Sequence, residues 1–530
     1  MSVPSSPLPD NAPAAVRARQ VAVIDIGTAS IRMAIGEIAG DGTVRTLETL
    51  SQSASLGRDA FTRGTISKQT IEDCVKILKS YRRVLREYEI TRSDQIRIVA
   101  TSAVREATNR LAFMDRVYIA TGLDVEALDE AEVNRVTFMA VQPHLQARDG
   151  NADKRVLIAE IGGGSTELLL VKESDVIFSH VYRLGSLRLR RTLEAYRAPT
   201  IKLRTIMETQ ILRTIDEIVE HVSPSEGAIE LMAMGGDVRF AARELDPDWD
   251  MQTLAKVSVA QLEKFTDRIL TMSEEQLVRK FELTFPEAGT VGPALLAYVL
   301  LAKALGLKEL LVTSITLRDG LLREMATRKS WTAEFSRQII RSAIDLGRRY
   351  EFDEPHALHV ANLSQILFHQ LKDEHQLDPR YEIVLYVAAL LHEIRLFVST
   401  HSSHKHAMYL IRNSELFGLS RKDHLLAGLV ARYHRRASPQ PTHEGYNMLD
   451  RHDRVAVTQM AAILRVAIAL DDSRSQRIHE LSCEVENGRL VISIPLVEDL
   501  SLEQLALRQN GALFEETFGM PVLLRMQRAP

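Results

Sequence analysis

The chain has 530 residues, 45% of them hydrophobic and 26% charged, which is too long for one core and excludes wholesale disorder. Sixty-six Lys and Arg against seventy Asp and Glu leave a net charge of −4, so no global positive field favours nucleic acid as a partner. Two cysteines, Cys74 and Cys483, exclude a disulfide scaffold and a thiolate zinc cluster and fit a reducing, cytoplasmic setting.

Residues 1–19 are rich in Pro, Ala and Ser without apolar periodicity and read as a disordered tail, with no apolar core of a secretory signal. The β-branched run Val21 to Gly27 predicts a strand stopped by glycine, Ser30–Ile38 a second and Arg45–Leu56 a third. Ile71, Val75, Leu78 and Leu85 recur near helical period and predict a helix over Ser67–Tyr88. A strand (Ile96–Ala100), a helix (Asn109–Ala120), a short strand and a helix from about Ala131 follow. The same order then recurs: a strand (Arg155–Ile161), a turn (Gly162 to Gly164), strands Thr166–Lys172 and Ser174–Tyr182, and helix within Ile201–Val222. Leu231–Met234 is a short strand ending at Gly235 and Gly236, and Glu309–Ser314 leads into a helix from about Arg318. Two halves that both open with strand, glycine turn and strand are an internal duplication of topology. The longest apolar stretch, Gly292 to Gly306, contains Lys303 and falls short of the ~20 residues of a membrane span.

After Thr327 the pattern becomes all-α, with amphipathic helices expected at Ser336–Arg349, His356–Leu371, Tyr381–Leu391, Arg421–Arg432 and Val455–Leu470. Twelve of the sixteen histidines fall between His356 and His452, which sets this region apart in composition. A β-like stretch (Glu484–Ile494) and an amphipathic one from Ser501 close the chain. The expected organisation is a tail over 1–19, two α/β lobes over 20–142 and 143–328, and a helical domain over 329–530.

The two glycine turns carry the chemistry. A strand that ends in glycine and returns at once leaves backbone N–H groups pointing outward, and a residue without Cβ lets an anion approach them. Asp25 precedes Gly27 by two residues and Glu160 precedes Gly162 by two, so each turn has an acid at the same offset. A carboxylate beside a phosphate turn suits a Mg²⁺-bridged phosphate, and two facing turns would make a cleft.

These turns resemble the phosphate loops of the actin/Hsp70/sugar-kinase superfamily. Together with Val99-Ala-Thr-Ser-Ala-Val-Arg-Glu-Ala-Thr-Asn109, Leu184-Gly-Ser-Leu-Arg188, Met234-Gly-Gly-Asp-Val-Arg239 and Leu317-Arg-Asp-Gly-Leu321, they resemble the exopolyphosphatase/guanosine pentaphosphate phosphohydrolase family. The resemblance implies two ribonuclease-H-like α/β lobes with an interlobe cleft, followed by an all-α HD-like domain. It implies Mg²⁺-dependent hydrolysis of a terminal phosphoanhydride, releasing orthophosphate from inorganic polyphosphate. The alternatives are hydrolysis of guanosine pentaphosphate, a catalytically impaired sensor of either compound and, more remotely, a sugar or acyl kinase. By motif position, Asp25 and Glu160 would hold the metal. Gly27, Thr28, Ser30, Gly163, Gly164, Ser165 and Thr166 would cradle phosphate, and Arg32 and Arg105 would bind the anion. A homodimer is also expected from the resemblance.

The departures matter. Ala29 stands where the family has Asn, and Glu160 where it has Asp. Val133 stands at the Glu proposed as general base, with Glu132 one residue earlier, about 100° away around a helix. Glu132 or Glu130 is then the candidate base, alongside Glu160 and Arg105 as catalytic residues. Phe285-Pro-Glu287 lacks the Arg of the family's Arg-Ala-Asp segment.

In the helical region, Ala388-Ala-Leu-Leu-His-Glu393 resembles the metal-binding helix of HD phosphohydrolases, with Glu393 for Asp and Arg395 for Gly. With His356 and Asp471 as outer ligands, His392 and Glu393 would form a degenerate metal set. His404, Lys405, His406, Arg432, His434, Arg435 and Arg436 are expected to form a cationic track for the rest of a long polyanion.

Overall fold

Val21 and Val23 on one face and Ala22, Ile24 and Ile26 on the other make β1 (Arg19–Ile26) apolar on both sides, which a central strand satisfies. β2 (Ser30–Ile38) and β3 (Val44–Ser53) extend from it antiparallel, while β4 (Ile96–Ala100) and β5 (Glu126–Ala127) add on its other edge in parallel. The order is β3-β2-β1-β4-β5. Helices α1 (Leu56–Arg63), α2 (Lys68–Glu87), α3 (Ser102–Glu106) and α4 (Arg110–Thr121) pack with Ala22, Ile24 and Ile26, and α5 (Glu130–Gln146) covers Val21 and Val23. The structure is a computed structural model describing residues 18–146, 154–173, 175–195, 203–222, 227–327, 333–394, 403–414, 416–435, 437–495, 497 and 499–527. Most of the expected tail, the segment at residue 330, Arg395 and Arg436 lie outside the described residues.

The second half repeats the plan. β6 (Arg155–Ile161) lies between antiparallel β7 (Thr166–Lys172), which carries β8 (Asp175–Tyr182), and a parallel strand reached through α6 (Ser186–Ala195) and α7 (Leu203–Val222). That strand is β9 (Ile229–Met234); α8 (Gly236–Leu245), β10 (Ala255–Ser258), α9 (Val259–Leu270), α10 (Glu274–Phe281), α11 (Phe285–Ala304), β11 (Glu309–Val312) and α12 (Leu317–Thr327) follow. The order β10-β11-β9-β6-β7-β8 reproduces the first sheet, β6 replacing β1 and β9 replacing β4, with β10 added at the edge. The duplication in the sequence is therefore a duplication of strand order. α12 belongs to the second half in sequence, yet Leu317, Leu321 and Leu322 pack with Val21, Val23, Val133 and Val136 of the first.

α11 has 20 residues and is long and apolar enough to cross a membrane by length and composition. It starts ahead of the apolar run because Thr284 caps it reciprocally with Glu287, whose Oε2 accepts from Thr284 N at 3.0 Å. Val291, Ala294, Leu295, Tyr298 and Leu301 are buried in the second lobe's core, so it serves as a core helix.

The chain divides into units Met1–Lys329 and Ser330–Pro530. The second unit is helical: α13 (Ala333–Arg349), α14 (Glu354–Gln370), α15 (Lys372–His375), α16 (Tyr381–Leu391), α17 (Ser403–Asn413), α18 (Arg421–Arg432) and α19 (Arg451–Leu470). A three-stranded sheet follows, from β12 (Ser482–Glu486), β13 (Arg489–Pro495) and, across α20 (Ser501–Asn510) and α21 (Ala512–Phe518), β14 (Val522–Gln527). The region is thus not wholly α: β14 pairs in parallel with β13, a non-local pairing that local periodicity does not announce.

Candidate active site

Both hairpins close the same way. Gly27 N donates to Ser30 O at 3.0 Å, and Gly162 N to Ser165 O at 2.9 Å. The register sets Asp25 opposite Arg32 in the first hairpin and Glu160 opposite Glu167 in the second. The amides of Thr28, Ala29, Gly163 and Gly164 donate to no protein acceptor among the described residues. Such donors form anion nests.

The two turns face each other at close range. A Cβ on Gly163 would lie 3.0 Å from Thr28 Cγ2, and one on Gly164 2.4 Å from Ser102 Oγ. A Cβ on Gly185 would meet the carbonyl carbon of Gly164 at 2.4 Å, so this crossing of backbones requires glycine. Thr28 Oγ1 and Ser102 Oγ are 3.3 Å apart.

Asp25 and Glu160 belong to one charge cluster. Arg318 Nη1, from α12, donates to Asp25 Oδ2 at 3.4 Å. Burial pushes the Glu160 carboxyl up, Arg239 opposes this, Asp25 adds to it, and Arg32 and Arg318 also oppose it. Burial and then Glu160 push Glu167 up to about 7, with Ser165 Oγ donating to its Oε1 at 2.6 Å. Like-charged carboxylates directly opposite on a hairpin favour retaining a proton. Asp237, at the first turn of α8, is pushed up to about 7 by burial, against the pull of Arg32. Arg239 is lowered by burial, partly offset by Glu160, and feels Arg32 and Arg318. Gly235, at φ +114°, lets the chain turn from β9 into α8, a conformation closed to L side chains. The Tyr298 hydroxyl accepts from Ile161 N at 2.8 Å and donates to the Met234 carbonyl, joining the ends of β6 and β9.

Asp25 Oδ1 is buried without a hydrogen-bond partner. A buried carboxylate oxygen is costly unless something cationic completes it. With Glu160 and Glu167 in the same cluster, this oxygen-donor set fits a hard divalent cation.

Other expected residues fall as follows. Arg105 Nη1 donates to Leu128 O at 3.2 Å, and its charge reaches Glu167. Thr166, instead of facing phosphate, is buried and donates its hydroxyl to Leu184 O at 2.6 Å. Glu132 is not brought to the cluster. Its Oε2 accepts from Asp129 N at 3.0 Å while Asp129 Oδ1 accepts from Glu132 N at 2.9 Å, a reciprocal cap on α5. Burial and then Asp129 push it up to about 7, with Glu126, Arg135 and Arg97 also among its charged neighbours. Val133 is buried in the apolar cluster under β1. Glu167, Asp237, Arg239, Arg318 and Ser102 were missed as site residues. The signal for Glu167 was the duplication itself, since Asp25 to Arg32 and Glu160 to Glu167 are equal steps.

In the second unit, ligand atoms of His356, His392 and Glu393 lie within 4.8 Å of one another. His356 Nδ1 is 2.8 Å from Asp471 Oδ2, Gln476 N donates to Asp471 Oδ1 at 2.8 Å, and Arg474 Nη2 donates to Glu393 Oε2 at 2.7 Å. Protein donors therefore already serve both carboxylates. The cationic track does not form a single face. Arg432 and His434 are buried, Arg432 against Met408 and over the Tyr433 ring, while Lys405 and Arg435 are exposed and His406 is half-buried. α18 carries an apolar run from Leu425 to Ala431, which buries the helix nearly all round. The His404 side chain lies outside the described residues.

Among known proteins, a curated relative, guanosine-5'-triphosphate,3'-diphosphate pyrophosphatase from Photobacterium profundum, is 24% identical over 519 residues, covering 95% of this chain and 97% of its own. The solved exopolyphosphatase of Cytophaga hutchinsonii matches with a TM-score of 0.51 at 20% identity, over 59% of this chain and 100% of its own, and shares the two-lobed actin-like fold. The Aquifex aeolicus member of the Ppx/GppA protein family matches at TM-score 0.49 and 22% identity, over 60% of this chain and 100% of its own. The model of Ppx/GppA phosphatase domain III matches residues 339–512, and that of the Ppx/GppA phosphatase family residues 37–329. With more than half its length matched, including the second glycine hairpin, the chain belongs to the Ppx/GppA phosphatase family.

Proposed function

We propose that the chain is a Mg²⁺-dependent phosphohydrolase that releases terminal orthophosphate from a condensed phosphate chain, inorganic polyphosphate being the primary substrate. The observation that carries this reading is the pair of facing glycine turns with free amides beside one cluster of carboxylates and arginines. Asp25 and Glu160 would hold the metal, which when bound neutralises phosphate oxygens and makes the phosphorus more electrophilic. The amides of Thr28, Ala29, Gly163 and Gly164 bind terminal phosphate oxygens, and Arg32, Arg105, Arg239 and Arg318 take up charge on the transferring group. Glu167, oriented by Ser165 Oγ at 2.6 Å, accepts the proton of the attacking water. This assigns to Glu167 the task for which Glu132, committed to the α5 cap, and Val133 are unsuited. Free thiols at Cys74 and Cys483 favour a reducing, cytoplasmic setting.

Guanosine pentaphosphate is the second reading, favoured by the near full-length curated relative. The test is orthophosphate release from polyphosphate and from guanosine pentaphosphate in parallel, with and without Mg²⁺. Faster turnover of polyphosphate supports the first reading and faster turnover of the nucleotide the second. Tight binding of either without release would instead make the chain a sensor, as Val133 at the expected base position would favour.

A further inference from the structure

We propose that Arg188 is a positioning residue that ties the second glycine turn to the first lobe and thereby aims the turn's amides into the cleft. Arg188 sits in the first turn of α6 and is mostly buried. Its Nε donates to Gly164 O at 2.8 Å, its Nη2 to Glu106 Oε1 at 2.6 Å, and its Cζ stands 4.2 Å above the Phe61 ring. Gly164 belongs to the second lobe, whereas Glu106 (α3) and Phe61 (α1) belong to the first. One guanidinium therefore spans the cleft, with two edges in hydrogen bonds and one face on an aromatic ring. A lysine ammonium cannot meet all three demands at once.

The consequence follows from peptide planarity. In a trans peptide the carbonyl of one residue and the N–H of the next point in opposite directions. Gly162 O accepts from Ser186 N at 2.9 Å, Gly163 O from Leu187 N and Arg188 N at 3.0 Å, and Gly164 O from Arg188 Nε. With these carbonyls drawn to α6, the amides of Gly163, Gly164 and Ser165 are turned the other way. Glu106 also follows Arg105 on the short α3, so the same contact steadies the arginine whose charge reaches Glu167. Arg183 donates to the other oxygen of Glu106 at 2.9 Å but is 77% exposed, where an ion pair contributes little.

The kinetic part of the test rests on the phosphohydrolase reading; the structural part does not. Arg188→Lys, Glu106→Ala and the double variant are compared in the ligand-free full-length protein by hydrogen exchange. Glu106→Ala, a change in the first lobe, is expected to speed exchange of the Gly162, Ser186 and Leu187 amides in the second, which are hydrogen-bonded within or onto the turn, by about tenfold. The double variant is expected to be no looser than Arg188→Lys alone, since both remove one coupled contact. With Mg²⁺ and tripolyphosphate as probe, Arg188→Lys is expected to lower kcat by about 10–100-fold with little change in KM. Added guanidinium is expected to restore part of the rate to Arg188→Ala. Exchange changes confined to the mutated lobe, or strictly additive ones, overturn the proposal whatever the activity. Coupled exchange in a protein that releases phosphate from neither polyphosphate nor guanosine pentaphosphate leaves the tie standing and removes the hydrolase reading instead.

Discussion

Glu132→Gln separates a helix cap from a catalytic base. The substitution keeps an oxygen that accepts from Asp129 N, so the α5 cap survives, but it removes the titration. In the folded chain Glu132 is raised from 4.5 to about 7, a gap worth about 3 kcal/mol. Between those values the folded state binds the extra proton. The contribution is therefore fully present below about pH 4.5 and is lost as pH rises through about 7. Wild type should lose about 3 kcal/mol more than the variant between pH 4.5 and pH 8. Urea titrations read by hydrogen exchange on peptides spanning α5 and β1 assign the transition to the first unit. Phosphate release by the variant should stay within about threefold of wild type, far short of the loss a removed base produces. A stability difference that is the same at both pH values, or a hundredfold loss of turnover, would refute the assignment.

Glu167→Gln should lower turnover by about 10²–10⁴-fold while binding of polyphosphate, measured by calorimetry, is retained. Gly235→Ala should destabilise the first unit by about 1–3 kcal/mol, read as a lower melting temperature, because φ +114° is strained for any residue with a Cβ. Arg432→Ala should destabilise the second unit by about 1–3 kcal/mol through lost packing on Tyr433 and Met408, yet leave polyphosphate affinity unchanged. Weaker binding with unaltered stability would restore the cationic track.

Local sequence patterns determined a good deal. The helices at Tyr381–Leu391 and Arg421–Arg432 have the bounds expected from periodicity, and both glycine hairpins fall where the β-branched runs stop. Asp25 and Glu160 were legible because a strand end, an acid and a glycine turn lie within a few consecutive residues. The residues gathered around them were not, since Asp237, Arg239 and Arg318 reach the cluster from helices that follow β9 and β11. Periodicity says which side chains share a face of an element, but only packing between distant segments decides what that face meets. Glu132 shows the difference. Its sequence position suggested chemistry, and the fold gave its carboxylate to Asp129 N and buried the neighbouring Val133 under β1. Arg432 and His434 show it again, because charge alone placed them on a surface that the apolar run of α18 turned inward.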